Sequence, residues 1–115
     1  MRYALLIYAN EAGWNTVPAS EQQAQLQEYL AFNKEVQAQG IELTANRLQP
    51  SRTATTVRIR DGRLVIGDGP YAETKEQLGG YYILNCKDLD EAIEYAKKIP
   101  AVRTGAVEVR PIMEI

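Results

Sequence analysis

Two segments of this chain are apolar at both alternating sets of positions. In Arg2 to Ala9, Tyr3, Leu5 and Ile7 fall on one face while Ala4, Leu6 and Tyr8 fall on the other; in Gly80 to Cys86, Tyr81 and Ile83 stand opposite Tyr82 and Leu84. A strand with that pattern is covered on both sides. Any fold for this chain must therefore bury two sheet faces.

The rest of the sequence supplies two helices with which to do so. The first opens near Pro18, where Ser20 and Gln23 fit a capping box; Leu26, Tyr29, Leu30, Asn33 and Val36 then recur at helical spacing, and Gly40 stops it. The second opens at Asp88 with Glu91 three residues on, buries Leu89, Ala92, Ile93 and Ala96, carries Lys97 and Lys98 in its last turn and ends at Pro100. Glu11 to Val17, with Gly13 and an isolated Trp14, reads as irregular. Further strands are predicted over Ile41 to Leu48, Thr55 to Arg60, Arg63 to Ile66 and around Val107 and Val109. Asp61-Gly62 is a strong hairpin signal, and Gly67-Asp68-Gly69-Pro70 breaks the return strand.

This order is a split β-α-β pattern with an added hairpin. It predicts an α+β, ferredoxin-like sandwich. At 115 residues there is room for one core, so residues 1–115 form one domain. Two helices cover only one face of such a sheet, and a second copy of the same sheet is the simplest cover for the other. The expectation is a homodimer.

Several functions are excluded by what the chain lacks. It has no histidine and one cysteine, Cys86, which removes an internal disulfide, the usual zinc and haem ligand sets and the commonest general base. Any metal would need oxygen ligands, and no metal or cofactor is expected. A net charge of −2 with scattered arginines gives no footprint for nucleic acid. No apolar run approaches the roughly 20 residues of a membrane span and no leader is apparent, so a cytoplasmic location is expected.

Chemistry concentrates between Asp68 and Tyr82, where turn formers, three carboxylates, Lys75 and three tyrosines lie between two apolar runs. Asp68, Glu73 or Glu76 in a partly apolar cleft would have the raised pKa of an acid or base; alternatively Asp68 fixes a turn while Glu73, Lys75 and Glu76 are solvated or ion-paired. Tyr8, Tyr71, Tyr81 and Tyr82, with Trp14, can line an aromatic pocket or belong to the core. Trp14 is the better pocket candidate, because its segment offers no obvious core role. Arg47, Arg58 and Arg110 would favour a carboxylate ligand if turned inward. Cys86 lacks a partner base and reads as a buried, inert thiol. The site expected is thus Asp68 as the catalytic carboxylate, with Tyr8, Trp14, Arg47, Glu73 and Tyr82 contacting substrate.

Asp68-Gly69-Pro70-Tyr71-Ala72-Glu73-Thr74-Lys75-Glu76 resembles the Asp-Gly-Pro-Phe (DGPF) motif of the YCII-related proteins, with Tyr71 in place of phenylalanine. The opening Met1 to Tyr8, Thr55 to Arg58, Gln77 to Tyr82 and the closing Val107 to Ile112 resemble that family too. The resemblance implies a dimeric α/β barrel built from two ferredoxin-like units. It also implies a link to sigma factors of the extracytoplasmic-function type, beside which some similar sequences lie. The histidine–aspartate dyad proposed for the broader group cannot be carried over to a chain without histidine; only an aspartate such as Asp68 remains.

Two function classes follow. One is a small-molecule site for a polar or anionic compound, with acid–base chemistry of lyase or isomerase type at Asp68. The other is a non-catalytic ligand-sensing or regulatory dimer acting with a sigma factor.

Overall fold

The two doubly apolar segments lie side by side at the centre of one sheet. The computed structural model describes residues 1–114, and in it strand β1 (Arg2–Ala9) pairs antiparallel with β5 (Gln77–Asn85). Outside them lie β6 (Ala106–Pro111), paired with β1, and β2 (Glu42–Arg47), paired with β5. The sheet order β2-β5-β1-β6, with helices α2 (Ala19–Ala38) and α3 (Leu89–Ala96) as crossovers, is the ferredoxin-like arrangement. The fold is α+β, as expected. The sheet is open, and the single chain closes no barrel.

Alternation sorts the central side chains. Tyr3 faces Leu84 and Leu5 faces Tyr82 across the pairing, and all four are buried with Phe32 and Val36 of α2 and Ala92 and Ala96 of α3. Ala4 faces Ile83 and Leu6 faces Tyr81 on the opposite side, where burial is only partial and no helix packs. Leu5 and Leu84 are 0% exposed. Burying a leucine to that degree stabilises a fold by about 1.5–3 kcal/mol, so the helix-covered face carries most of the stability of the single chain.

The helices hold three corrections and one confirmed cap. Helix α2 begins at Ala19 after Pro18, whose carbonyl accepts from the Glu21 and Gln22 N–H groups at 3.0 Å, and no side chain caps it. The Ser20 capping box is therefore not formed. The face of α2 that is buried centres on Phe32 and Val36, with Leu26 and Leu30 exposed. In α3 the predicted cap is present: Asp88 Oδ1 accepts from the Glu91 N–H at 2.9 Å and Glu91 Oε1 from the Lys87 N–H at 3.1 Å. Ala92 and Ala96 are buried, but Leu89 and Ile93 keep 45% and 37% of their surface exposed.

Strands β3 (Thr55–Arg60) and β4 (Arg63–Asp68) form a separate hairpin. Asp61 and Gly62 both have positive φ, 50° and 76°, which is the mirror-type turn that a tight hairpin requires. Strand β4 runs two residues further than its sequence suggests. Thr55 still has a partner in Asp68, and the strand stops only where Gly69 turns with φ 96° ahead of Pro70. The hairpin packs extensively on nothing but itself, and it stands away from the body as an arm. No helix among the described residues is long and apolar enough to cross a membrane.

Candidate functional site

Three segments converge at the root of the arm. The segment read as irregular holds a one-turn helix, α1 (Glu11–Trp14), because Asn10 Oδ1 accepts from the Gly13 N–H at 3.2 Å and supplies a cap. That turn presents Glu11 to a 3₁₀ turn at Ser51–Thr53. The Ser51 N–H and Oγ–H donate to its carboxylate at 2.9 and 2.7 Å. The Glu11 N–H donates to Gln77 Oε1 at 3.1 Å, and Gln77 Nε2 donates to the Thr74 carbonyl at 2.7 Å. Gln77 thereby ties the loop after Pro70 to the start of β5.

Above these bonds lies a cleft of about 440 Å³ lined by Ser51, Pro70, Ala72, Glu73, Thr74, Lys75 and Gln77. Of the DGPY turn only Pro70 lines it. The Gly69 N–H donates to the Ala54 carbonyl at 2.7 Å and the Thr56 hydroxyl to the Gly69 carbonyl at 2.8 Å, so the motif locks the arm's two strands together at their base. Tyr71 leaves this turn to lie under Arg58, whose guanidinium carbon is 5.5 Å from the ring centroid. The positive φ of Gly69 favours glycine there, and Tyr71, though 76% exposed, reaches the arm through Arg58.

Of the six residues expected at the site, only Glu73 lines this cleft. Asp68 is the last residue of β4, exposed and paired with Thr55, rather than part of the loop. Arg47 lies exposed opposite Gly80, in register with the helix-covered side of β5 and close enough to act on the Tyr29 phenol. Tyr82 is core: its ring meets Phe32 edge to face at 5.0 Å, and its hydroxyl donates to Asn33 Oδ1. Burial, with smaller contributions from Tyr29 and Glu42, pushes the Tyr82 phenol up to about 12. Tyr8 sits half-buried on the uncovered sheet face opposite Leu78 and Ala106, and Trp14 is half-buried at the end of α1. Sequence reasoning missed Glu11, Ser51 and Gln77, because their contacts span 40 and 66 positions and follow no local spacing.

The chemistry available is that of polar side chains around one cation. Of the 13 lysines and arginines, five make ion pairs among the described residues, and Lys75 is not one of them, so of the two roles open to it the surface ion pair is not formed. Burial raises the Cys86 thiol above its usual range, in keeping with an inert core cysteine. Among the described residues no three of His, Cys, Asp or Glu are grouped to hold a metal ion.

A four-stranded antiparallel sheet in this order, two crossover helices on one face and a polar cleft where an inserted hairpin joins define an α+β protein of ferredoxin-like class. The YCII-related domain matches residues 1–115, and the chain belongs to that family. It is 35% identical over 114 residues to an uncharacterised protein of Rhizobium meliloti (strain 1021), covering 97% of this chain and 92% of that one. It shares its fold with the 5-chloro-2-hydroxyhydroquinone dehydrochlorinase TftG from Burkholderia phenoliruptrix AC1100, solved in complex with 2,5-dihydroxybenzoquinone. The TM-score is 0.50 at 16% identity, over 98% of this chain and 94% of that one.

Proposed function

We propose that this chain binds a small polar or anionic molecule in the cleft at the root of the arm. The observation that carries the reading is the Lys75 ammonium, without an ion pair, in the lining of a cleft of about 440 Å³ whose Ser51 and Gln77 are held by Glu11. That volume suits a compact ligand, and Ser51, Thr74 and Gln77 supply the polar groups that orient one. The complex of TftG with 2,5-dihydroxybenzoquinone supports the size and polarity of the ligand class, an oxygen-rich ring. Since Glu73 lines the cleft and Asp68 does not, our reading gives proton exchange with such a ligand to Glu73. Acid–base turnover therefore rests on Glu73, and a sigma-factor association is not part of the reading.

The same reading includes a homodimer. Its support is the uncovered face of the central strands, where Leu6, Tyr81 and Ile83 are half-exposed in the single chain.

Calorimetric titration with 2,5-dihydroxybenzoquinone and a panel of small carboxylates tests the site. Lys75→Ala should weaken binding roughly two- to fivefold, the value of one exposed charge pair, and Asp68→Asn should leave it unchanged. The proposal fails if no member of the panel binds, or if Lys75→Ala binds as the parent does.

A further inference from the structure

We infer that the β3–β4 hairpin is an arm that packs its apolar face onto a second copy of this chain. The pairing places Val57 opposite Ile66 and Ile59 opposite Leu64, so four branched apolar side chains share one face of the hairpin. They are 60%, 65%, 74% and 64% exposed for Val57, Ile66, Ile59 and Leu64 respectively. The other face carries Arg58, Arg60 and Arg63. An isolated two-stranded hairpin is at best marginally stable in water, and beyond the contacts at its base and of Arg58 with Tyr71 this one has no extensive packing on another element of its own chain. Its apolar face needs cover from outside.

The surface area indicates how much cover is missing. A compact monomer of 12.9 kDa exposes about 6,300 Å², whereas this chain exposes 8248 Å². The radius of gyration, 16.1 Å, likewise exceeds the roughly 13 Å of a compact domain of this length. The excess is about 1,900 Å² per chain. Doubled over two copies, it falls within the roughly 2,000–5,000 Å² that obligate homodimers bury. A second copy is the occupant that accounts for the whole excess, because each copy brings both an uncovered arm and an uncovered sheet face. Charge favours the same match: three arginines against two aspartates leave the arm at +1, so with a whole-chain charge of −2 the body carries −3.

The inference rests on the homodimer reading and names the surface that makes the dimer. Because Ala54, Thr56 and Gly69 join the arm to the cleft wall, docking of the arm would also set the position of that wall.

Sedimentation equilibrium at micromolar concentration tests it with the double variant Ile59→Asp/Ile66→Asp and with Arg63→Gln on the opposite face as a control. Both isoleucines are exposed in the single chain, so circular dichroism should report an intact fold. The parent and the control should sediment as dimers of the 12.9 kDa chain. The double variant should dissociate roughly a hundredfold more readily, the loss of about 3 kcal/mol of apolar burial. A parent that sediments as a monomer overturns both the dimer and the arm. A double variant that dimerises as the parent does overturns the arm and leaves the dimer standing. A second readout does not depend on the double variant folding: Ile59→Cys should react with a maleimide more slowly above the dimer's dissociation constant than below it, with the buried Cys86 silent. Equal rates at both concentrations reject the arm.

Discussion

The carboxylate of Glu11 accepts hydrogen bonds from both the backbone N–H and the hydroxyl of Ser51, a residue 40 positions away. This contact joins α1 to the root of the arm and holds Ser51, which lines the cleft. Glu11→Ala removes a charged acceptor from two donors that are only partly shielded, and should cost about 1–2 kcal/mol in urea unfolding. Glu11→Gln, which keeps an acceptor oxygen, should lose less than half of that. Equal losses for the two variants would mean that the contact contributes nothing as a hydrogen bond.

Two glycines should behave differently when substituted. A Cβ on Gly105 would meet the Tyr8 carbonyl oxygen at 2.0 Å, where β6 closes onto β1, and neither backbone can retreat without breaking the pairing. Gly105→Ala should destabilise the chain by roughly 3 kcal/mol or more. A Cβ on Gly69 meets nothing within 4 Å, so only the strain of φ 96° remains, about 1–2 kcal/mol. Melting temperatures of the two variants check the order, and Gly69→Ala as the worse of the pair would refute it.

Stability should fall at alkaline pH. Burial raises the Tyr82 phenol from its ordinary 10 to about 12, so the folded state holds this proton more tightly than the unfolded chain does. That contribution is complete below pH 10 and is lost as the pH climbs through about 12. Tyr82→Phe should flatten the decline over this window. It should also lower the plateau by about 1 kcal/mol, because Asn33 Oδ1 loses its donor. Tyr29, also raised by burial, leaves a residual slope. Urea titrations from neutral pH to about 12 would show this, and an unchanged slope in Tyr82→Phe would contradict it.

Leu84 lies at the centre of the helix-covered face with 0% exposure, against Tyr3 across the strand pair. Leu84→Ala should cost about 2–5 kcal/mol by leaving a cavity. Ile83→Ala, one position along on the uncovered face, should cost the single chain less than half as much. Chemical denaturation of both, at concentrations low enough to keep any dimer apart, decides whether the two faces differ as described.

The strands were legible because period-two patterns and turn residues act locally: Thr55 to Arg60 and the Asp61-Gly62 turn are found where the sequence puts them. The α3 cap was legible for the same reason. Alternation also places Tyr81 and Tyr82 on opposite faces, but not which face the helices cover. That choice belongs to the packing of Phe32, and it moved Tyr82 from pocket to core. Asp68 was misplaced because the hairpin register, fixed from its far end at Asp61-Gly62, carries pairing through to Thr55 and overrides the breaking tendency of Gly67. Of the residues expected at the site only Glu73 lines the cleft, since clefts are assembled from contacts that sequence spacing does not encode.

The pairing of β1 with β5 slips by one residue at Gly79: Ile7 faces Gly80, yet Tyr8 faces Leu78 and Ala9 faces Gln77. The slip works as a gear change between two halves of one strand. Residues from Gly80 onward keep the register of the core, while Gln77 is delivered to Glu11. The one extra residue thus lets two demands coexist on a single strand: Tyr82 and Leu84 keep their partners Leu5 and Tyr3, while Leu78 and Gln77 pair with Tyr8 and Ala9 beside the cleft.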